Sequence, residues 1–404
     1  MQASKYNLIT KLAAVALFFI VSSCVQEYTP KLTTSEQQLV VDGKISNFPG
    51  PYTVKLSSSS DLNDLTETPV TSATVVIVDL DGNQETLTET SPGIYKTSIN
   101  GIQGVVGQSY KIKIDLSNGK HYESKFEEIL SPVGVENVYA EEGVQEAQNN
   151  IESDVQGFQF YVDSKQASSS KTYFYWQIEE TYEYHSDYRI VYYYDGSPND
   201  STLLNPLGFS SVENRDTLFY CWKTQLVPEL FSFSTEYLST PTVSKFPIHF
   251  VPFRDERLQF KYSILVKQYT ISEDAYIFLD KLKQQNSNQD AMFSSQPFQI
   301  RGNVSNTEDQ TEPVLGYFMA MAGTNGPRVF TQAPSGTYFD RTKCDPEISI
   351  STIQYIIATT PSSELPLYFT LVELGAPLVL AYVRQDCLDC ERQGGIALKP
   401  EFWE

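Results

Sequence analysis

Short runs of strict two-residue alternation limit this chain more than any other feature. Tyr110, Ile112, Ile114 and Leu116 alternate with Lys111, Lys113 and Asp115, and Tyr52, Val54 and Leu56 alternate with Thr53, Lys55 and Ser57. A pleated strand sends successive side chains to opposite faces, so each run reads as a strand with one buried face. Ala73 to Leu80 is a β-branched run that stops at Asp81-Gly82, and Asn118-Gly119 turns the chain into a further strand from His121 to Phe126. Asx-Gly pairs supply the positive φ that tight hairpins require. Strands at this spacing from 38 to 130 predict an immunoglobulin-like β-sandwich. Asp79, Asp81, Asn83 and Glu85 offer oxygens that could ligate calcium, but they lack the EF-hand register and read as a solvated hairpin turn.

Residues 131–150, from Ser131-Pro132 through Glu141, Glu142 and the polar run after Gln145, read as a linker. Beyond it, 151–404 is expected to form a larger β-rich domain. Aromatics crowd its first strands: Tyr173, Phe174, Tyr175 and Trp176, then Tyr182, Tyr184 and Tyr188, then Tyr192-Tyr193-Tyr194. Tyrosine joins an apolar face to a polar tip, so such strands suit sheet packing and can also stack sugars or peptides. Tyr173, Tyr175, Trp176, Tyr182, Tyr184 and Trp222 are the candidate ligand contacts. One clear helix is expected at about 271–285. Thr270-Ile271-Ser272-Glu273 carries a Thr-x-x-Glu capping signal, and Ala275, Phe278, Leu279 and Leu282 recur at helical spacing. Asp274 near its start, and Lys281 and Lys283 near its end, suit the helix dipole. Further strands are expected at Phe298–Val304, Val314–Ala322, Arg328–Thr331, Ile348–Thr359 and Leu367–Leu374. Asp195 to Asn205 reads as a loop.

The first 23 residues carry a different signal. Lys5 and Lys11 precede the apolar run Leu12 to Val21, which is too short to cross a bilayer as a helix and has the length of a signal-peptide core. Val21-Ser22-Ser23-Cys24 resembles a bacterial lipobox, which makes Cys24 the expected lipidation site and first mature residue. Residues 24–37 read as a tether. Cleavage would leave 381 residues (404 minus 23) and move the net charge from −21 to −23 by removing Lys5 and Lys11. So acidic a chain argues against nucleic acid and against general adhesion to anionic lipid.

Cys221, Cys344, Cys387 and Cys390 follow Cys24. An even count behind a signal peptide suggests two disulfides, with three pairings open. Cys387-Leu388-Asp389-Cys390 also matches half a zinc site or a redox motif. The chain's histidines, His121, His185 and His249, lie far off in sequence, and a redox site would need a βαβ context that is not evident. Disulfides from Cys387 and Cys390 to distant partners would pin the C-terminus to the body. No Gly-x-Ser-x-Gly or His-Glu-x-x-His motif occurs, so no catalytic, metal or cofactor site is assigned.

Several segments together resemble the Bacteroidota lipoprotein family known as domain of unknown function 4249. They are Cys24 to Pro30, Leu39-Val40-Val41-Asp42-Gly43, Cys221-Trp222-Lys223-Thr224, Phe246 to Phe250, the block Tyr262 to Leu282, Gln296 to Asn303, Val314 to Phe318, and Asp389 to Trp403. The resemblance implies a lipid-anchored outer-membrane protein, often encoded beside a TonB-dependent receptor, which is the expected partner; Gln26 and Glu27 just after Cys24 resemble an acidic cue for export to the cell surface. It brings no activity and no catalytic residues. The function expected on this basis is an accessory or ligand-binding partner of that transporter. A surface hydrolase on glycans or peptides, which needs only two suitably spaced carboxylates, and a structural or adhesive surface protein are the alternatives.

Overall fold

The structure is a computed structural model, and it describes residues 37–59, 67–146, 153–168, 171–196, 209–287, 300–339, 344–373 and 378–403. The leader, Cys24 and the tether up to residue 36 lie outside the described residues, as do most of the loop expected at 195–205 and the first residues of the strand expected from Phe298.

The N-terminal strands are β1 (Leu39–Ser46), β2 (Thr53–Ser58), β3 (Thr68–Pro69), β4 (Thr74–Asp79), β5 (Gln84–Thr86), β6 (Thr88–Ser91), β7 (Ile94–Lys96), β8 (Ser109–Asp115), β9 (His121–Ser124) and β10 (Glu127–Glu128). Asp81-Gly82 and Asn118-Gly119 do turn hairpins, with φ +90° at Gly82 and +87° at Gly119. The alternating residues pack as expected: Val54, Leu56, Ile77, Ile112 and Ile114 are fully buried in one core. At roughly 1.5–3 kcal/mol for each fully buried aliphatic side chain, this cluster is the main source of the sandwich's stability. The Asp79 carboxylate accepts from the backbone and side-chain amides of Asn83, and Glu85 accepts from Ser98 and Ile102. These carboxylates brace two turns.

The second set comprises β11 (Val135–Gln145), β12 (Val155–Ser164), β13 (Tyr173–His185), β14 (Tyr192–Tyr194), β15 (Ser210–Ser211), β16 (Tyr220–Leu226), β17 (Phe231–Ser234), β18 (Phe246–Pro252), β19 (Lys261–Ile271), helix α1 (Glu273–Ser287), β20 (Val304–Asn306), β21 (Leu315–Thr331), helix α2 (Ile350–Thr359), β22 (Leu367–Val372) and β23 (Val379–Ala381). The chain is thus mainly β. β13, β19 and β21 run antiparallel side by side and have two faces. Phe174, Trp176 and Ile178 point to one face, where the β11-β12-β18 sheet covers them. Tyr173 points to the other, beneath Ala275, Phe278 and Leu279 of α1. A small sheet, β15-β14-β22-β23, packs Leu367 and Phe369 against Ile353 of α2.

Both sheets of the sandwich are completed by residues from far along the chain. β20 pairs with β9, and β1 pairs in parallel with the first half of β21, Val41 opposite Gly316. The second half of β21 pairs with β19, so one sheet runs β16-β13-β19-β21-β1-β2-β7-β6. Gly316 permits the splice. Its φ is +84°, and a Cβ there would stand 1.9 Å from the Val41 carbonyl oxygen, so only glycine fits. Glu127 ties the seam, accepting from Tyr317 Oη and Ser272 Oγ, both at 2.6 Å.

Four expectations need correction. Residues 135–145 of the expected linker form β11, an outer strand with polar residues because much of its length faces solvent. Ile348–Thr359 is not a strand, because α2 occupies 350–359. Its isoleucines fit both periods, and Ile353, Ile356 and Ile357 pack as one helical face. The two strands expected at 314–322 and 328–331 are one, with Pro327 placed where the pairing with β19 slips between Leu265 and Lys267. A proline lacks the N–H that a regular ladder needs, and a bulge accommodates it. Finally, α1 begins two residues later than expected. Ser272, not Thr270, caps it by accepting from Ala275 N at 3.2 Å, whereas Thr270 is buried in β19. Because α1 runs on to Ser287, Lys281 and Lys283 fall short of its last turn.

Candidate ligand cleft

The C-terminal end of β13 carries Tyr182, Tyr184 and His185 to one wall of a cleft of about 590 Å³. Lys223 of β16 and the turn Arg254 to Arg257 form the next side, and residues 384–393 form the opposite rim. Alternation puts Tyr182 and Tyr184 on one face of β13, with ring centroids 6.0 Å apart and planes tilted by 45°.

One disulfide fastens the rim to this wall, and a second ties it to Cys344, also on the lining. Cys221 of β16 bonds to Cys390 with Cα atoms 5.8 Å apart, and Cys344 bonds to Cys387 with Cα atoms 6.1 Å apart. Both rim cysteines therefore reach distant partners, and the Cys387–Cys390 spacing is not a redox pair. Asp187, Cys344 and Cys387 come together, but both sulfurs are engaged in a disulfide and offer no thiolate to a metal. Backbone bonds reinforce the attachment, with Trp222 and Ile396 exchanging both N–H···O contacts at 2.9 and 3.0 Å. Tyr184 Oη donates to the Cys390 carbonyl, and Trp403 Nε1 donates to Glu183 at 3.1 Å.

Behind the tyrosines lies a buried charge network. Glu180, 1% exposed, accepts from Arg257 Nη1 at 2.7 Å, Tyr262 Oη at 2.6 Å and Gln225 Nε2 at 2.6 Å. Burial opposes its ionisation, but these donors, nearby His249 and the Arg257 charge outweigh it and hold the carboxyl at about 2. Arg257 is fixed from its other side by Asp255, at 2.9 and 2.7 Å. A guanidinium clamped this way presents its remaining edge without freedom to turn. Burial, then the Glu180 charge, pushes the Tyr182 phenol up to about 12, so it stays a neutral donor. His249 Nε2 lies 3.8 Å from Glu180 and its Nδ1 3.5 Å from Glu229, within ion-pairing reach, and among the described residues neither buried ring nitrogen has a geometrically good hydrogen bond. Burial alone would lower its pKa, but the polar interaction with the Glu180 and Glu229 carboxylates, reinforced by their charge, outweighs it and raises the pKa.

The other expected ligand contacts lie elsewhere. Trp176 is fully buried between Phe174 and Phe246, at ring distances of 5.6 and 4.7 Å, and its Nε1 donates to Gln268. It is a core residue, because its position in β13 faces the covering sheet. Tyr173 is buried against Tyr276 of α1, and Tyr175 stacks on Tyr269 at 5.8 Å. Trp222 is buried beside the Ile396 bridge. Sequence reasoning missed Glu180, Arg257, Lys223 and Arg254. A signal was present: Trp176, Ile178, Glu180 and Tyr182 share one face, and a carboxylate at core parity needs a cation.

Residues 25–325 match the family model described as Domain of unknown function (DUF4249). The chain belongs to that family. No curated protein matches it. The DUF4249 match covers the sandwich strands, β13, β16 and the Arg254–Arg257 turn, and it ends inside β21. The rim of the cleft, with Cys344, Cys387 and Cys390, lies beyond the matched DUF4249 residues, as does the Asp389–Trp403 segment.

Proposed function

We propose that this DUF4249 protein is an outer-membrane lipoprotein, anchored through Cys24 at the cell surface, that serves a TonB-dependent transporter as an accessory binding partner. The cleft walled by Tyr182 and Tyr184 is its ligand seat. The observation that carries the reading is the bracing of that cleft. Two disulfides and a doubly clamped guanidinium fix its walls before any ligand arrives, which lowers the ordering cost of binding. The apolar leader ending at Ser22-Ser23-Cys24 supports the anchor.

The test is an affinity pull-down of the full-length acylated protein from native membranes, with mass spectrometry of its companions. A stoichiometric TonB-dependent barrel is the expected result. Recovery of the protein alone, under conditions that preserve known barrel complexes, overturns the transporter role.

A further inference from the structure

We infer that the cleft takes a short peptide with free termini, a zwitterion rather than a neutral or wholly anionic ligand. This rests on the binding reading above.

The argument starts from the charges that the protein does not itself neutralise. Arg257 is paired with Asp255 and Glu180, and Arg384 with Asp386 at 2.9 Å. Lys223 and Arg254 line the same cleft and make no ion pair among the described residues. Glu256, also on the lining, has no basic partner among them. The cleft thus offers two cations and a carboxylate to an occupant. A neutral oligosaccharide would strip water from these groups and return no counter-charge. A wholly anionic ligand would meet Lys223 and Arg254 but would approach against a net charge of −21 and face Glu256. A peptide brings a carboxylate for the cations and an ammonium for Glu256. Its body lies against Tyr182 and Tyr184, whose rings present apolar area with polar tips. A volume of about 590 Å³ falls within the range of small-ligand sites and limits the occupant to a few residues.

The inference is tested by titration calorimetry of the full-length protein in mild detergent. The probes are an alanine-leucine tetrapeptide with free termini, the same peptide acetylated and amidated, and a neutral glucose tetramer. The expected result is that the free peptide binds at least tenfold tighter than the capped one, and that the sugar gives no heat. Lys223→Ala with Arg254→Ala should weaken the free peptide at least tenfold and leave the capped one unchanged. Glu256→Gln should narrow the preference for the free peptide over the capped one, the remainder being the carboxylate held by Lys223 and Arg254. These side chains are partly or fully exposed, and an unchanged thermal midpoint confirms that the variants fold. Equal affinity for free and capped peptide overturns the inference, as does binding of the sugar alone or the absence of heat with every probe. A sugar ligand would leave the accessory role standing, whereas a lone protein in the pull-down removes that role whatever the cleft holds.

Discussion

Arg257 and Glu180 meet behind the cleft tyrosines with Nη1 and Oε2 2.7 Å apart, the one from a short 3-10 turn and the other from the middle of β13. Each is held by further partners, so removing one strands the other. Arg257→Met should cost about 3–5 kcal/mol, because it leaves an ionised carboxylate buried without its cation. Adding Glu180→Gln should recover much of that loss. Urea denaturation of the two variants checks both statements, and an Arg257→Met loss below about 1 kcal/mol would show that Tyr262 and Gln225 suffice for Glu180.

The same network sets a pH dependence. Glu180 titrates at about 2 in the folded chain, below its ordinary 4.5. Its stabilisation, about 3 kcal/mol, is present above pH 4.5 and is lost as pH falls toward 2. His249 is raised from 6.5, so its contribution is present below that value and is lost as pH rises through the folded pKa. Thermal midpoints measured from pH 2 to 9 should fall on both limbs. Glu180→Gln should flatten the acid limb, and His249→Gln the neutral one.

Cys221 and Cys390 are 169 residues apart, a long loop to close. Loop-closure entropy puts that bond at about 5 kcal/mol and the shorter Cys344–Cys387 loop at about 4 kcal/mol. The Cys221→Ala, Cys390→Ala pair should destabilise the protein by about 3–5 kcal/mol and raise amide exchange in 388–403. Hydrogen-exchange mass spectrometry separates this from an effect spread over the whole chain.

Gly316 and Gly82 share a positive φ, but their surroundings differ. Among the described residues nothing lies within 4 Å of a Cβ at Gly82, so Gly82→Ala should cost about 1 kcal/mol from the backbone alone. At Gly316 the added carbon collides with the Val41 carbonyl, and Gly316→Ala should cost about 3 kcal/mol or more as β1 is pushed off β21. Chemical denaturation of the pair gives the contrast directly.

The sandwich strands were legible because local alternation and Asx-Gly turns both act within a few residues. Helix α1 was legible because its apolar spacing spans three turns. What stayed hidden depends on distant partners. Nothing local marks Leu315–Phe318 as the neighbour of Val40–Gly43, since a parallel pairing across some 270 residues leaves no turn signature. Ile348 to Ile357 satisfied two periods at once, and tertiary packing on Leu367 and Phe369 chose the helix. For the cleft, tyrosine density pointed to β13 but not to which faces stay open. Trp176 and Tyr182 lie on the same face, six residues apart, and only the extent of the covering sheet separates a core residue from a wall of the cleft.

One strand, β21, serves both halves of the molecule, and this fixes the order in which the chain can finish folding. Counted from the N-terminus, β1 and β9 come early in the chain, yet each has a sheet neighbour near residues 304–321. Until that neighbour docks, the β1 edge and the Val41, Ile45 and Leu56 cluster lack Phe318 and Ala320 above them. The first 130 residues must therefore wait, incomplete, for a segment far along the chain to join them.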